Sequence, residues 1–313
     1  MTNLRRSALL FLAIGLILYG AVYFGSERLV YRTGDSNPFY KIATTEDRAF
    51  DWVILGASHA MPLDFADFNA QMERETGLRI LNLATPGTGP LYNRFVLERF
   101  FRRHRTRRVL YVLDSFAFYS ARWNEDRFAD AKLLRRTPFD PALAWQLARY
   151  SLNDGVRATA VLDYISGFSK INNRERFEPD IWDGETTFDR VARPSAAADA
   201  KRIDYLYPDA VPDPAAFSRY LAVLETLIAL AGQENAQVVA IKTPVPAQFY
   251  RKLPDEAAFN DVISGLVAAE NVPFHDFSRE MDQPGFYFDT DHLNRAGLTA
   301  FFSRYLKAVL VED

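Results

Sequence analysis

The 313-residue chain has no cysteine, which excludes a disulfide framework, a thiolate metal site and a cysteine nucleophile but does not identify a compartment. Histidine is nearly as scarce: only His59, His104, His275 and His292 occur, and no two have helical zinc-ligand spacing. An excess of one charge is missing as well, since 37 Lys and Arg face 40 Asp and Glu for a net charge of −3. No global basic field therefore recruits nucleic acid, and any polyanion contact must be local. No internal repeat or low-complexity tract is evident. What remains is ordinary for a globular protein, with 49% hydrophobic and 25% charged residues, enough for a sizeable core. The length points to one large domain with additions, or at most two domains.

One uncharged run stands out, Ala8 to Phe24, preceded by Arg5 and Arg6. At about 1.5 Å per residue it spans roughly 25 Å, near the short limit for a bilayer core of about 30 Å. A cleaved signal needs small residues at alternate positions before the cut, and the pairs ending this run each contain an unsuitable residue. With no Cys following, a lipoprotein anchor is excluded. The expectation is residues 1–7 as a short tail and 8–24 as an uncleaved anchor in a bacterial inner membrane. The positive-inside count is nearly tied, because Arg28 and Arg32 balance Arg5 and Arg6. The short tail then favours an inside N-terminus and an exported, periplasmic domain. A buried helix of a soluble protein would usually show a polar stripe.

After a polar connector, residues 25–47, the pattern alternates strand and helix. Phe50 to Leu55, Arg79 to Leu83 and Arg108 to Leu113 read as strands, with helices Asp64 to Glu75 and Tyr92 to Arg103 between them. The rhythm breaks from about residue 115 to 214, where helical stretches (Pro141 to Ser151, Val156 to Phe168) and a polar stretch suggest an insertion. It resumes with helix Ala215 to Ala231, strand Gln237 to Ile241, helix Glu256 to Ala269, strand Val272 to Phe277 and a last helix from about Arg295. Such alternation predicts an α/β domain over residues 48–313, a central parallel sheet covered on both faces in three αβα layers.

The first strand ends in Gly56-Ala57-Ser58-His59-Ala60. Ligands bind beyond the carboxyl ends of strands in open parallel sheets, so Ser58 stands where chemistry tends to occur, although its hydroxyl needs a neighbouring base. Near the C-terminus, Asp289-Thr290-Asp291-His292-Leu293-Asn294 precedes the last helix. A loop turning into a helix can bring the Asp289 carboxylate to one nitrogen of His292 while the other faces the serine.

Taken together in this order, the two blocks resemble those of the SGNH, or GDSL-type, hydrolase and acyltransferase superfamily, over most of Phe50 to Asp313 apart from the insertion. The resemblance implies a flavodoxin-like αβα fold, a nucleophile at Ser58, Asp289 and His292 as its partners, and an oxyanion-binding glycine at Gly87. Amides of Gly87 and Ser58 would receive the oxyanion. The superfamily's third block supplies an Asn, and here Leu113-Asp114-Ser115-Phe116 stands in its place. An ionised Asp114 would repel an oxyanion. Either Asp114 points elsewhere and Ser115 or Asn124 donates, or the hole has two donors, or hydrolysis is lost. A lost donor costs roughly 3 kcal/mol. His59 also replaces a more usual residue, and capping or packing is its expected role.

Other groups read as structural. His275-Asp276 are adjacent strand residues facing opposite ways. Asp289, Asp291 and His292 show no second histidine paired with them, so no metal and no cofactor is expected. Lys242 reads as solvated or at the pocket mouth. Seven arginines between Arg94 and Arg108 read as a solvated helix end, with anionic lipid or a membrane partner as the sharper alternative. Trp123, Trp145 and Trp182 are candidates for a sugar-stacking platform, with a core role the default. The leading expectation is an anchored, exported acyl esterase or acyltransferase acting on an acylated envelope or secreted polysaccharide. The other is a non-hydrolytic accessory or glycan-binding partner of a membrane-bound O-acyltransferase.

Overall fold

A computed structural model describes residues 2–34, 36–208 and 213–312. Met1 of the expected tail, Asp35 of the expected connector, residues 209–212 in the expected insertion and Asp313 lie outside them. Two compact units emerge, one made of residues 1–43 and 128–180, the other of residues 44–127 and 181–313.

The second unit is an α/β domain built on five strands, β1 (Ala49–Leu55), β2 (Ile80–Asn82), β3 (Arg105–Val112), β4 (Gln237–Lys242) and β5 (Phe274–Asp276). Their order is β2-β1-β3-β4-β5 and every pairing is parallel. The strands read as near-continuous apolar runs because helices cover both faces. Trp52, Ile54, Leu110, Val112, Val239 and Ile241 share one core with Phe68 and Met72 of helix Phe68–Thr76 and with Leu298, Phe301, Phe302 and Leu306 of the C-terminal helical stretch. The opposite layer includes helices Pro90–Phe101, Pro214–Gln233 and Glu256–Ala269, the last two joined through Phe217 and Phe259, whose rings lie 5.9 Å apart. Pro214–Gln233 is long and apolar enough to pass for a membrane span, but its Leu224, Leu227, Ile228 and Ala231 are buried against this layer. The strand order reverses between β1 and β3, so the crevice beyond their carboxyl ends is the switch point where such sheets place ligands.

The first unit is helical. Its leading helix, α1, runs from Thr2 to Thr33, well past the end of the apolar run at Phe24, because no proline occurs before Pro38 and its last turns find partners. Glu27 pairs with Lys170 at 2.6 Å, Val30 is buried, and Thr33 Oγ1 accepts from Arg136 Nη1. Leu4–Thr33 is long and apolar enough for a single membrane anchor or a signal sequence. Helices Pro38–Thr44, Pro141–Asn153 and Ala158–Ser166 and the short Phe168–Ile171 are among its other elements.

Candidate active site

The turn after β1 is fixed from several sides. Gly56 has φ of +143°, and a Cβ there would lie 2.9 Å from Val112 Cβ and O, so only glycine fits. Its N–H donates to Asn93 Oδ1 at 3.0 Å and its carbonyl accepts from Thr88 Oγ1 at 3.0 Å. Ser58 follows, buried, with its Oγ 2.9 Å from His292 Nε2.

His292 lies in the loop before helix Arg295–Phe301, whose first turn is capped by Asn294 Oδ1 accepting from Gly297 N at 2.9 Å. Asp289 Oδ1 accepts the N–H groups of Asp291 and His292, at 3.1 and 2.8 Å, which orients its carboxylate. That carboxylate meets His292 Nδ1 at 2.8 and 3.0 Å. With Nδ1–H donating to Asp289, Nε2 is left to accept from the serine hydroxyl. Burial pushes the Asp289 carboxyl up, but its electrostatic interaction and hydrogen bond with His292 outweigh it and hold the group below the usual carboxylate range. Phe288 stacks on the imidazole at 5.5 Å, and Trp182 meets it edge-on at 5.3 Å. The structure thus brings Ser58, His292 and Asp289 into one hydrogen-bonded chain.

Beside that chain lies an ionic network for which the sequence gives little signal. His59 Nδ1 donates to Asp114 Oδ1 at 2.5 Å, and its Nε2 is 3.3 Å from Asp291 Oδ2. Burial opposes charging of this ring, yet Asp114 and Asp291 outweigh it and push its pKa up to about 10, making it an imidazolium at neutral pH. Its centroid is 4.7 Å from that of His292. Asp291 is fully buried, receives Arg202 Nε on both oxygens at 2.9 and 3.1 Å, and also lies 3.3 Å from His292 Nδ1. Burial raises its carboxyl, and Arg202, His292 and His59 together pull it well below the ordinary value.

Several expectations are corrected here. His59 caps no helix; it packs against the His292 ring and, beyond that expected packing, is the centre of an ion-pair network. Asp114 faces His59, so its charge is balanced. Ser115 does not offer a free donor: its hydroxyl bonds to Tyr207 at 2.7 Å and to Glu256. Asn124 is equally committed, giving Nδ2 to the Ala117 and Ser120 carbonyls at 2.9 and 3.1 Å while Oδ1 accepts from Leu91 N at 3.1 Å. Lys242 is not solvated: it is buried against Glu256, donates to Asn260 Oδ1 at 2.7 Å, and lines a small cavity with His59 and Asp114. A second histidine does join Asp291 and His292, because His59, His292 and Asp291 present ligand-type atoms within 4.8 Å of one another. A metal fits them poorly: Arg202 occupies both Asp291 oxygens, His59 carries a proton, and both nitrogens of His292 face other partners.

Gly87 has φ of +61°, and a Cβ there would lie 2.7 Å from the Trp123 ring. Trp123 is core, donating Nε1 to Leu206 O at 2.9 Å, and Trp182 packs on Phe65 and His292. Trp145 is exposed in the first unit. Asp276 accepts from Ser278 and Asn260, a structural role, and His275 stacks on Phe277. Among the described residues, neither Ser58 N–H nor Gly87 N–H donates to a protein acceptor. Asp289 and Thr290 border a cavity of about 900 Å³ whose wall also carries Arg190, Arg193 and Arg251.

No family model and no curated protein matches the chain. Solved structures do match, among them a Bacteroides fragilis protein provisionally described as an acylhydrolase, 10% identical, with a TM-score of 0.42, covering 86% of this chain and 92% of that one.

Proposed function

We propose that this protein is a membrane-anchored, exported serine acyl esterase or O-acyltransferase acting on a cell-envelope or secreted polysaccharide. The supporting observation is the chain Ser58 Oγ to His292 Nε2 at 2.9 Å and His292 Nδ1 to Asp289 at 2.8 Å, beyond the carboxyl ends of the sheet. In this reading Ser58 Oγ attacks the acyl carbonyl carbon while its proton passes to His292 Nε2. Asp289 holds Nδ1–H and stabilises the imidazolium. The amides of Ser58 and Gly87 receive the oxyanion. Collapse breaks the ester bond, and the leaving alcohol takes the proton from Nε2. Water then attacks the acyl-serine in hydrolysis, or a glycan hydroxyl does so in transfer, giving its proton to Nε2, and the serine leaves with that proton.

The cavity beside Asp289 is in the size range of small-molecule sites, roughly 300–1,000 Å³. Its wall carries Asp199, Asp282 and Asp289 as well as the three arginines, a polar lining of both charges that suits a hydroxyl-rich glycan. A second reading, an accessory or glycan-binding partner of a membrane-bound O-acyltransferase, draws support from Ser58, whose exposure is 5%. In the leading reading, Ser58→Ala abolishes turnover of a chromogenic acetate ester, labelling by a fluorophosphonate, and any acyl adduct found at this position by mass spectrometry. Glycan binding with no adduct in the unmodified protein selects the second reading, and turnover unchanged in Ser58→Ala discards the triad.

A further inference from the structure

The helical unit leaves a row of large apolar side chains uncovered at the place where it meets α1. On helix Ala158–Ser166, Leu162 and Ile165 are 66 and 51% exposed, and Phe168, just beyond it, is 63% exposed. Ala158, Leu162 and Ile165 recur at helical spacing, so they share one face, and that face carries no charge. A surface helix of a water-soluble domain normally shows the opposite arrangement. On the preceding helix, Pro141–Asn153, Trp145 and Leu152, two turns apart, are 72 and 83% exposed, with the exposed Arg149 between them on the same face. These residues are not the packing side of the unit, whose interior is supplied by Leu143, Leu147, Tyr150, Ala160 and Tyr164.

The position of this row along α1 indicates what covers it. Tyr19 Oη donates to the carbonyl of Ser166 at 2.7 Å, and a Cβ on Gly167 would collide with the ring of Tyr23. Both tyrosines belong to the apolar run that ends at Phe24. One turn further, Glu27 pairs with Lys170 at 2.6 Å, where polar groups take over. Tyr19 precedes Phe24 by five residues, which is about 7.5 Å along a helix axis. The end of helix Ala158–Ser166 is therefore fastened to α1 about 7.5 Å inside the apolar zone, and interfacial helices bury their apolar faces about 5–10 Å into the headgroup and acyl boundary. Tyrosines at this level and an exposed Trp145 are also the residue types that favour that boundary.

We propose that Leu162, Ile165 and Phe168 form a second membrane-contacting surface, inserted into the outer part of the same bilayer leaflet from which α1 emerges. The anchor then works with a lateral foot, and the helical unit is held against the membrane rather than swinging on a flexible stalk. This inference rests on the reading that residues 8–24 span a bilayer, and it is independent of the triad. A protein partner could also cover an apolar face, but the row is contiguous with the span itself and lacks the charged or hydrogen-bonding groups that a polar interface rim supplies.

The absence of cysteine makes the test direct. Full-length Leu162→Cys, Ile165→Cys and Phe168→Cys variants, each spin-labelled and reconstituted in liposomes of phosphatidylethanolamine and phosphatidylglycerol, are compared for relaxation by lipid-soluble oxygen and by a water-soluble nickel chelate. Leu16→Cys reports the span, and Val262→Cys, on exposed helix surface of the sheet domain, reports water. Oxygen-dominated relaxation at 162, 165 and 168, as at 16, is the expected result. Nickel-dominated relaxation there, with oxygen still dominant at 16, overturns the foot and leaves the anchor intact; shielding from both reagents, as beneath a partner protein, also overturns it. Nickel-dominated relaxation at 16 removes the span and the foot together. All the substituted side chains are exposed, so folding is little challenged.

Discussion

The two ends of the sheet carry charge in opposite ways. At the amino ends of the strands, Arg79, Arg105 and Arg107 reach Asp47, Glu234 and Asp51 at 3.5, 3.8 and 3.8 Å, with side chains that water still covers. Pairs of this kind contribute about 0–1 kcal/mol each. At the carboxyl ends, Asp114, His59, Asp291 and Arg202 form a chain of alternating charge that is almost entirely out of water. Removing an ion from water costs several kcal/mol, recovered only where the geometry of its partners is good. Arg105 and Arg107 of the arginine-rich stretch therefore lie at a solvated edge, whereas its Arg99 is buried. The buried chain of charge is a commitment made beside the proposed nucleophile.

The largest effect that separates these regions is expected from Asp291→Asn. The amide preserves shape, but it leaves Arg202 and the His59 imidazolium without their shared anion. Breaking one partner of a buried network typically costs about 3–5 kcal/mol. Thermal unfolding of the full-length protein in detergent should show this as a large drop in Tm, and Arg202→Gln added to Asp291→Asn should restore part of it, as coupled neighbours do. A loss no larger than that of a surface pair would show that water reaches Asp291 and erase the contrast.

A smaller, graded effect follows from pH. The folded-state pKa of His59 is raised to about 10, above its value of about 6.5 in an unfolded chain. The stability it contributes is fully present below about pH 6.5 and is lost as pH rises through about 10. Tm should accordingly fall along an alkaline limb in that window, and His59→Gln should flatten the limb while lowering Tm at neutral pH. Asp289 and Asp291 act in the opposite sense: their depressed carboxyls contribute stability above the ordinary carboxylate range, which is lost as the solution becomes more acid than about pH 4. A limb unchanged in His59→Gln would assign the alkaline loss to another group.

These regions were not equally legible in the chain. Strands β1, β3 and β4 are apolar runs between turn residues, and that local pattern suffices to place them and to infer a parallel sheet. Ser58 and His292 stand out in the chain because they lie at a strand end and a helix start with a suitable neighbour, Asp289, three residues from the histidine. The ionic network left no comparable trace. Arg202 meets Asp291 from 89 residues away, and His59 meets Asp114 from 55. Neither distance has a periodicity to betray it, and an aspartate in a site block is silent about which cation it will face. Similarly, the end of α1 at Thr33 depends on Lys170 and Arg136, which are contributed by a distant segment.

The smallest expected effect is at the amino edge. Arg107 lies 3.8 Å from Asp51, and its side chain is 85% exposed. Its alternative role, contact with anionic lipid, would draw on the same guanidinium, so Arg107→Ala tests the comparison from its weak side. If the edge is only solvated, Tm should move by what about 0.5 kcal/mol or less would produce. Sedimentation with anionic liposomes should likewise match that of the unmodified protein, because the anchor and not this edge then carries membrane affinity. Were liposome binding to weaken markedly and to become insensitive to salt, the arginines would be ligand-facing, and the contrast between a passive edge and an active one would disappear, since screened attraction to a charged surface is the component that salt removes.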